Sequence, residues 1–550
     1  MMRPAPLTIG RFSRRSRAAL ARTIHCTSRP LLLAVCASLV GCGGGSPATA
    51  PTPTEPGPAG GGADATSWGF FLYTSDFSGG LANARWSRST GVVWQRVEPV
   101  PGTGNYDWNQ LDDLVRSAQS AGISRVFVLK TGNGSAFSEP DCFQRVESAA
   151  AAGGFPDGRV LSSCPIRPEM EGAWSRMVTE LVERYDGDGN RDMPGIIRDI
   201  RVDIEVENEA YSRQYWDYGT TDRALAADRY LRLLDLSYRA KQAADPDTQV
   251  VLTGLFQPNL LARCDGNPSS PGCTPAVLQN VAFTKRILSR PEIFDAVDVH
   301  VFAYYHFEPG YIDSGFQWVT DQMQQRGYQR PVYSLEWTGA NMLPINFEGY
   351  TDAFRAYFPY SASFPGNAAF QAMYAGLDQP GNVLYRQWFE AEQAKEFGKL
   401  FTNLLARGVR RLVHVQYSDY YPGSDWNNVY WNWQGIIKYV GGAPIRKPSY
   451  YTYNILSQRL FGFLAVRRIG QGNVRLYEFT FPTGEPTYVL WTDGANAVVD
   501  LSQVVPRSAL RVTYLVTQLD GANAPIVQPE QTVPTTAVPV GDVPVLLKGV

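Results

Sequence analysis

The sequence predicts an α/β chain, a (β/α)8 TIM barrel followed by a small antiparallel β domain. From Trp68 onward, short apolar runs alternate with longer helical patterns, the signature of βα units. The strand candidates number eight, which suits a closed barrel better than an open doubly wound sheet. After residue 461 the pattern changes to short alternating strands broken by Gly, Pro and Asp.

The chain begins with a basic stretch and an apolar run from Leu31 to Val40, ending in Leu39-Val40-Gly41-Cys42. This resembles a bacterial lipobox, which implies that 1–41 is a lipoprotein signal peptide and that Cys42 is lipidated. Gly43 rather than Asp follows Cys42, and by resemblance to Gram-negative sorting this implies the outer membrane. Residues 42–66, rich in Gly, Pro, Ala and Thr, read as a flexible tether. No internal run of 18 apolar residues follows, so no other segment is expected to span a membrane.

The barrel is expected over 67–461. Its strand candidates are Trp68–Tyr73, Gly91–Val97, Ser124–Lys130, Ile197–Glu207, Gln249–Leu255, Ala296–Phe302, Pro331–Glu336 and Arg410–Tyr417. Helical patterns between them include Trp108–Ala121, Trp174–Tyr185, Thr221–Ala244 and Tyr385–Ala406. Long connections, 131–168, 256–275, 338–384 and 418–446, are expected to build a binding surface on one rim. Residues 462–550 read as a β-sandwich-like domain, with strands at Val474–Thr480, Thr487–Trp491, Leu510–Leu515 and Val543–Lys548.

Composition excludes several classes. Residues 1–41 hold seven arginines and no acidic residue, so without them the formal charge falls from −2 to −9. An acidic protein of this kind does not read as a nucleic-acid binder. No Gly-rich phosphate loop, GxSxG elbow or HExxH helix is present. Aromatic content of 12%, with 13 Trp and 29 Tyr, fills a core and leans towards sugar stacking. Four cysteines follow Cys42: Cys142, Cys164, Cys264 and Cys273. In an exported chain they read as two disulfides, the local pairs being the simplest of three connectivities.

Two strand runs end in glutamate: Ile204-Glu205-Val206-Glu207-Asn208-Glu209, and Pro331-Val332-Tyr333-Ser334-Leu335-Glu336. The C-terminal end of a barrel strand is where such a barrel does its chemistry. Two carboxylates across its mouth are the minimal machinery for cleaving a glycosidic bond. Alternation puts Asp203, Glu205, Glu207 and Glu209 on one face. Such a row cannot all be buried unpaired, so some must meet cations or the cleft. Glu209, at the strand end, is best placed for the cleft, while Glu205 and Glu207 read as ion-paired barrel residues.

Asn208-Glu209 after the fourth strand, with Glu336 after the seventh, resembles the clan A retaining glycoside hydrolases. The likeness covers roughly 68–461 and is greatest to the branch of β-xylosidases, α-L-iduronidases and bacterial exopolysaccharide hydrolases. It implies a retaining, double-displacement hydrolysis of a poly- or oligosaccharide, with Glu209 as acid/base, Glu336 as nucleophile and Asn208 on a substrate hydroxyl. Clan members often carry an arginine that orients the nucleophile at the end of strand two, which implies that role for Arg96. His300, with Tyr304 or Tyr305, stands where relatives have His-x-Tyr, although Phe302 breaks the pattern. Trp337 and the loop residues Trp426, Tyr430, Trp431 and Trp433 are candidate sugar platforms.

No cofactor is expected for catalysis. Asp186, Asp188, Asn190 and Asp192 have the alternation of a calcium loop, although Ile197 stands where its bidentate Glu would be. Calcium there would be structural; a polar turn is the plainer reading. The expected partners are a carbohydrate substrate and the lipid anchor, and the expected state is a monomer. The alternatives are a non-catalytic carbohydrate-binding surface lipoprotein and a transglycosylase using the same residues.

Overall fold

Hydrogen bonding runs without an edge around eight parallel strand positions. The structure is a computed structural model and describes residues 66–71, 81–89, 91–152, 162–197, 201–256, 258–302, 311–339, 381, 383–419, 433–440 and 442–550. The barrel strands are β1 (Ser67–Phe71), β2 (Ala84–Arg88) continued by β3 (Val92–Val93), β4 (Ser124–Lys130), β5 (Val202–Val206), β6 (Val250–Phe256), β7 (Ala296–Phe302), β8 (Val332–Thr338) and β9 (Arg411–His414). Both β2 and β3 pair with β4, and β1 joins β2 to β9, which closes the ring.

One strand differs from expectation. The second lies at Ala84–Arg88, not Gly91–Val97, and Trp94–Val97 is a helical turn, α1. Arg85 and Arg88 make the true strand look polar, whereas Gly91-Val-Val-Trp looks apolar. Burying Arg88 requires anions from other strands, which local sequence cannot reveal.

The helices around the barrel are α2 (Asn109–Ser120), α3 (Pro140–Ala151), α4 (Glu171–Tyr185), α5 (Arg223–Ala244), α6 (Pro258–Gly266), α7 (Pro275–Ile287), α8 (Tyr311–Gln324), α9 (Val383–Ala406) and α10 (Pro448–Leu460). Phe127, Leu129, Ile204 and Val206 point outward into the layer these helices cover, joining Trp174, Leu181 and Leu234. Trp86, Val126, Val251, Tyr333 and Leu335 belong to a separate cluster inside the barrel. This is strand alternation with both faces buried. Near the N-terminal ends of the strands, Arg411 stacks 3.7 Å over Trp86 and 4.5 Å over Tyr333 and pairs with Asp203. The plug satisfies one acid of the β5 row and leaves the others nearer the opposite mouth.

The two disulfides are Cys142–Cys164 and Cys264–Cys273. Each ties a helix in a long connection, α3 or α6, to the loop beyond it.

Beyond the barrel, β10 (Ile437–Val440) and β11 (Ala443–Arg446) form a hairpin. The C-terminal strands are β12 (Ala465–Arg468), β13 (Val474–Thr480), β14 (Thr487–Thr492), β15 (Ala497–Val499), β16 (Ala509–Tyr514), β17 (Gln531–Pro534), β18 (Val538–Val540) and β19 (Val545–Gly549). Six make an antiparallel sheet in the order β12-β13-β14-β19-β16-β17, and β15 pairs with β18. Tyr477, Phe479, Val489 and Trp491 share the barrel's outer core, while Leu476, Tyr488 and Leu490 face the domain's own core. The sheet is therefore buried on both sides. Among the described residues no helix is long and apolar enough to cross a membrane.

Candidate active site

β5 ends at Val206, and there the backbone leaves the extended region. Glu207 and Glu209 both have positive φ, 62° and 46°. Non-glycine residues adopt such angles only where surroundings hold them, and such positions cluster at functional sites. The hold here is visible. The Ala210 N–H donates to Thr253 Oγ1 at 2.9 Å, and Tyr230 Oη donates to the Val206 carbonyl at 3.0 Å. Arg223, buried at the start of α5, donates to the carbonyls of Ala210 at 3.0 Å and Tyr211 at 2.6 Å.

The turn sends each acid of the row to a different partner. Glu205 is buried and accepts from Arg88 Nε at 2.7 Å and Nη2 at 3.0 Å. Glu207 accepts from the Thr131 N–H at 2.7 Å and from its hydroxyl at 3.1 Å. Glu209 Oε1 lies 2.8 Å from His300 Nδ1. From β8, Glu336 accepts from Arg88 Nη1 and lies 3.6 Å from His300 Nδ1. Glu209 and Glu336 keep 12% and 14% of their side chains exposed, whereas Glu205 keeps none. Carboxylate oxygens of Glu209 and Glu336 and a His300 nitrogen lie within 4.8 Å of one another.

Arg88 is the residue that sequence reading missed. Its fork spans Glu205, Glu336 and, through Nη2 at 2.7 Å, the Asn208 amide oxygen. Arg96 does not take this role; it is exposed on the α1 turn. The signal that could have found Arg88 is the alternation of Trp86-Ser87-Arg88 after Ala84, overridden by the charge.

His300 is held from behind. Its Nε2 lies 2.9 Å from Asp298 Oδ2, and Asp298 Oδ1 accepts the Leu335 N–H at 2.8 Å. Donation of Nε2–H to Asp298 aims Nδ1 at Glu209. Gly254 on β6 makes the room, because a Cβ there would fall 2.1 Å from His300 Nε2.

Electrostatics separates the carboxyls. Burial raises the Glu209 pKa and Glu336's charge adds to the rise, while His300 and Arg88 oppose it. Burial pushes Glu205 up to about 7 against the pull of Arg88. Burial disfavours the charged form of His300, but Glu336, Asp298 and Glu209 outweigh it and hold its pKa well above the ordinary value. Lys130, buried at the end of β4, has its pKa lowered by burial although Glu207, Glu336 and Glu209 are close enough to favour its charge.

Other expected residues fall elsewhere. Trp337 is 1% exposed and packs against Phe397 at 4.7 Å and His414 at 4.9 Å, so it is core rather than a sugar platform. Trp433 is buried, with Arg386 over its ring. Tyr304, Tyr305, Trp426, Tyr430, Trp431 and Cys42 lie outside the described residues. The Asp186, Asp188 and Asp192 carboxylates converge within 4.8 Å, but Asn190 donates its amide to Glu183 at 2.7 Å. The three acids accept backbone N–H groups of their own turn, such as Gly189 to Asp192 at 2.7 Å. That is the behaviour of a polar turn.

No family model matches the sequence, and no curated protein matches it either. Solved structures do match. One is a family 39 glycoside hydrolase from the gut symbiont Bacteroides cellulosilyticus WH2, at 14% identity and a TM-score of 0.52, over 88% of this chain and 81% of that one. A glucosidase from Croceicoccus marinus matches at 10% identity and a TM-score of 0.49, over 88% and 95%. A monomeric β-xylosidase from Caulobacter crescentus matches at 14% and 0.41, over 85% and 90%. At these identities the likeness to the family 39 enzyme concerns the fold: a closed parallel barrel, here with antiparallel sheets at its C-terminus.

Proposed function

We propose that this protein is a retaining glycoside hydrolase, with Glu336 as nucleophile and Glu209 as acid/base. The observation that carries the reading is the approach of the two carboxyls, with oxygens within 4.8 Å. A double displacement needs its carboxyls about 5–5.5 Å apart, whereas an inverting site leaves room for water between them. Arg88 donates to Glu336 and fixes the orientation of its carboxylate. Burial and the charge of Glu336 hold a proton on Glu209, which His300 touches. Glu209 protonates the leaving oxygen while Glu336 attacks the anomeric carbon. Once Glu336 is esterified its charge is gone, the Glu209 pKa falls, and Glu209 takes a proton from the water that attacks the anomeric carbon and releases Glu336 as a carboxylate.

The test is covalent. The full chain in detergent is incubated with fluorosugar and cyclophellitol-type probes, and labelled peptides are mapped by mass spectrometry. The expected label is on Glu336 and is lost in Glu336→Gln. A label on another residue sinks the nucleophile assignment, and binding of glycans without label or turnover moves the protein to the carbohydrate-binding class.

The anchor at Cys42 belongs to the same reading and rests on the sequence pattern of 31–42. Metabolic labelling with an alkynyl fatty acid is expected to mark the wild type and not Cys42→Ser, and retention of label in Cys42→Ser would refute it.

A further inference from the structure

A cavity of about 420 Å³ opens on the C-terminal rim of the barrel, outside the Glu209–Glu336 pair. Its polar lining is Gln95, Arg96, Asn133 and Ser135, and Phe143 supplies a half-buried aromatic ring. The volume lies in the range of small-ligand sites. Its walls grow from the strands that carry the site: Gln95 and Arg96 follow β3, and Asn133 follows Lys130 at the end of β4. Lys130 is close enough to interact electrostatically with both Glu209 and Glu336.

The cavity is built rather than incidental. Gly132 has φ +78°, and a Cβ there would meet Val93 Cγ1 at 2.9 Å; at Gly134 a Cβ would meet the Phe137 ring at 2.3 Å and Gln95 Oε1 at 2.8 Å. Side chains at these positions would collide with the wall. The far wall is stapled, since Phe143 follows Cys142, whose disulfide leads to Cys164. The Cys164 N–H donates to the Gly132 carbonyl at 2.7 Å, and Asn133 Nδ2 donates to the Ser162 carbonyl at 3.1 Å.

Arg96 is the informative member. Its side chain is exposed and makes no ion pair with any described residue, whereas Arg88 is committed to Glu205 and Glu336. An uncommitted guanidinium has a fixed fork suited to carboxylate or sulfate. Amides and a hydroxyl beside it suit sugar hydroxyls, and the ring suits a pyranose face.

We infer that this cavity is a subsite for a sugar residue bearing an anionic group, with Arg96 as the specificity residue, next to the cleavage point. The inference rests on the glycosidase reading and deepens it by naming a substrate class, an acidic glycan.

The test measures binding in the full chain carrying Glu336→Gln, so that nothing is consumed. Calorimetric titrations compare oligogalacturonate, carrageenan oligosaccharide and carboxyl-reduced oligogalacturonate. At least one anionic series is expected to bind about tenfold or more tightly than the neutral one, and which series does so separates carboxylate from sulfate. Arg96→Gln is expected to erase that preference, and Arg96→Lys to keep part of it. Arg96 is exposed and unpaired, so an unchanged Tm checks that the variants fold. Equal affinity for all three, binding of none, or a preference that survives Arg96→Gln each overturns the subsite. Labelling of Glu336 by a small neutral probe in the Arg96→Gln chain reports on the glycosidase reading separately. If the wild type takes no label while acidic glycans bind through Arg96, the subsite stands and the enzyme reading falls.

Discussion

The His300 imidazole is bonded to Glu209 at 2.8 Å through Nδ1 and to Asp298 at 2.9 Å through Nε2, and the same Nδ1 lies 3.6 Å from Glu336. One ring therefore touches the proposed acid and faces the proposed nucleophile. The proton that Glu209 gives up in the proposed mechanism therefore lies beside the His300 contact.

The alkaline limb of kcat/KM is expected to report loss of that proton, with activity falling as pH rises through it. His300 is the main group opposing the rise of Glu209's pKa. In His300→Asn the opposition is gone, so the limb is expected to move to higher pH, with the rate down about 10²-fold, within the usual worth of positioned acid–base groups. A pH–rate profile on one aryl glycoside checks this, and a limb that moves to lower pH contradicts it.

Arg88 neutralises a fully buried Glu205. Removing one member of a buried pair typically costs about 3–5 kcal/mol because the other charge is stranded. Glu205 already has a pKa of about 7, raised by burial, so its ionisation destabilises the fold as pH rises. Without Arg88 the pKa rises further. Arg88→Met is therefore expected to lose more Tm at pH 8 than at pH 5, and Arg88→Met/Glu205→Gln to lose that pH dependence. Denaturation curves at both pH values decide it.

Arg223 bonds the carbonyls of Ala210 and Tyr211 just after Glu209, whose φ is positive. Arg223→Met is expected to relax this turn and misplace the acid, lowering kcat about 10²-fold, the scale of a 1 Å misplacement. Labelling of Glu336 by a probe with a good leaving group should persist, because that step needs little acid assistance. Loss of labelling and kcat together would show general unfolding instead.

The Cys142–Cys164 bridge spans 22 residues. Constraining a loop of that length in the unfolded chain is worth about 3 kcal/mol on the chain-entropy account. Cys142→Ser/Cys164→Ser is expected to lower stability by about that amount in urea titrations. It should also weaken binding at the neighbouring cavity, whose Gly132 carbonyl is held by the Cys164 N–H.

The barrel was legible because most strands bury both faces and so read as short apolar runs, β2 being the exception, and because the runs occur in βα order. Glu209 and Glu336 were legible because a charge at the end of an apolar run has few structural uses. The local disulfides followed from even cysteine count and proximity. The β5 row was legible as a problem, four acids on one face, but not as a solution.

The solution came from other strands: Arg411 for Asp203, Arg88 for Glu205, Thr131 for Glu207 and His300 for Glu209. Sequence by itself determined the number and order of the strands and which carboxylates reach the mouth, since these depend on periodicity along one segment. Only the tertiary structure decided which arginine joins the site, that Trp337 belongs to the core, and that Arg96 lines a cavity of its own. Those outcomes depend on partners from other elements, Glu205 and Glu336 for Arg88, Phe397 and His414 for Trp337, and Asn133 and Phe143 for Arg96. A side chain's local pattern carries no record of such neighbours.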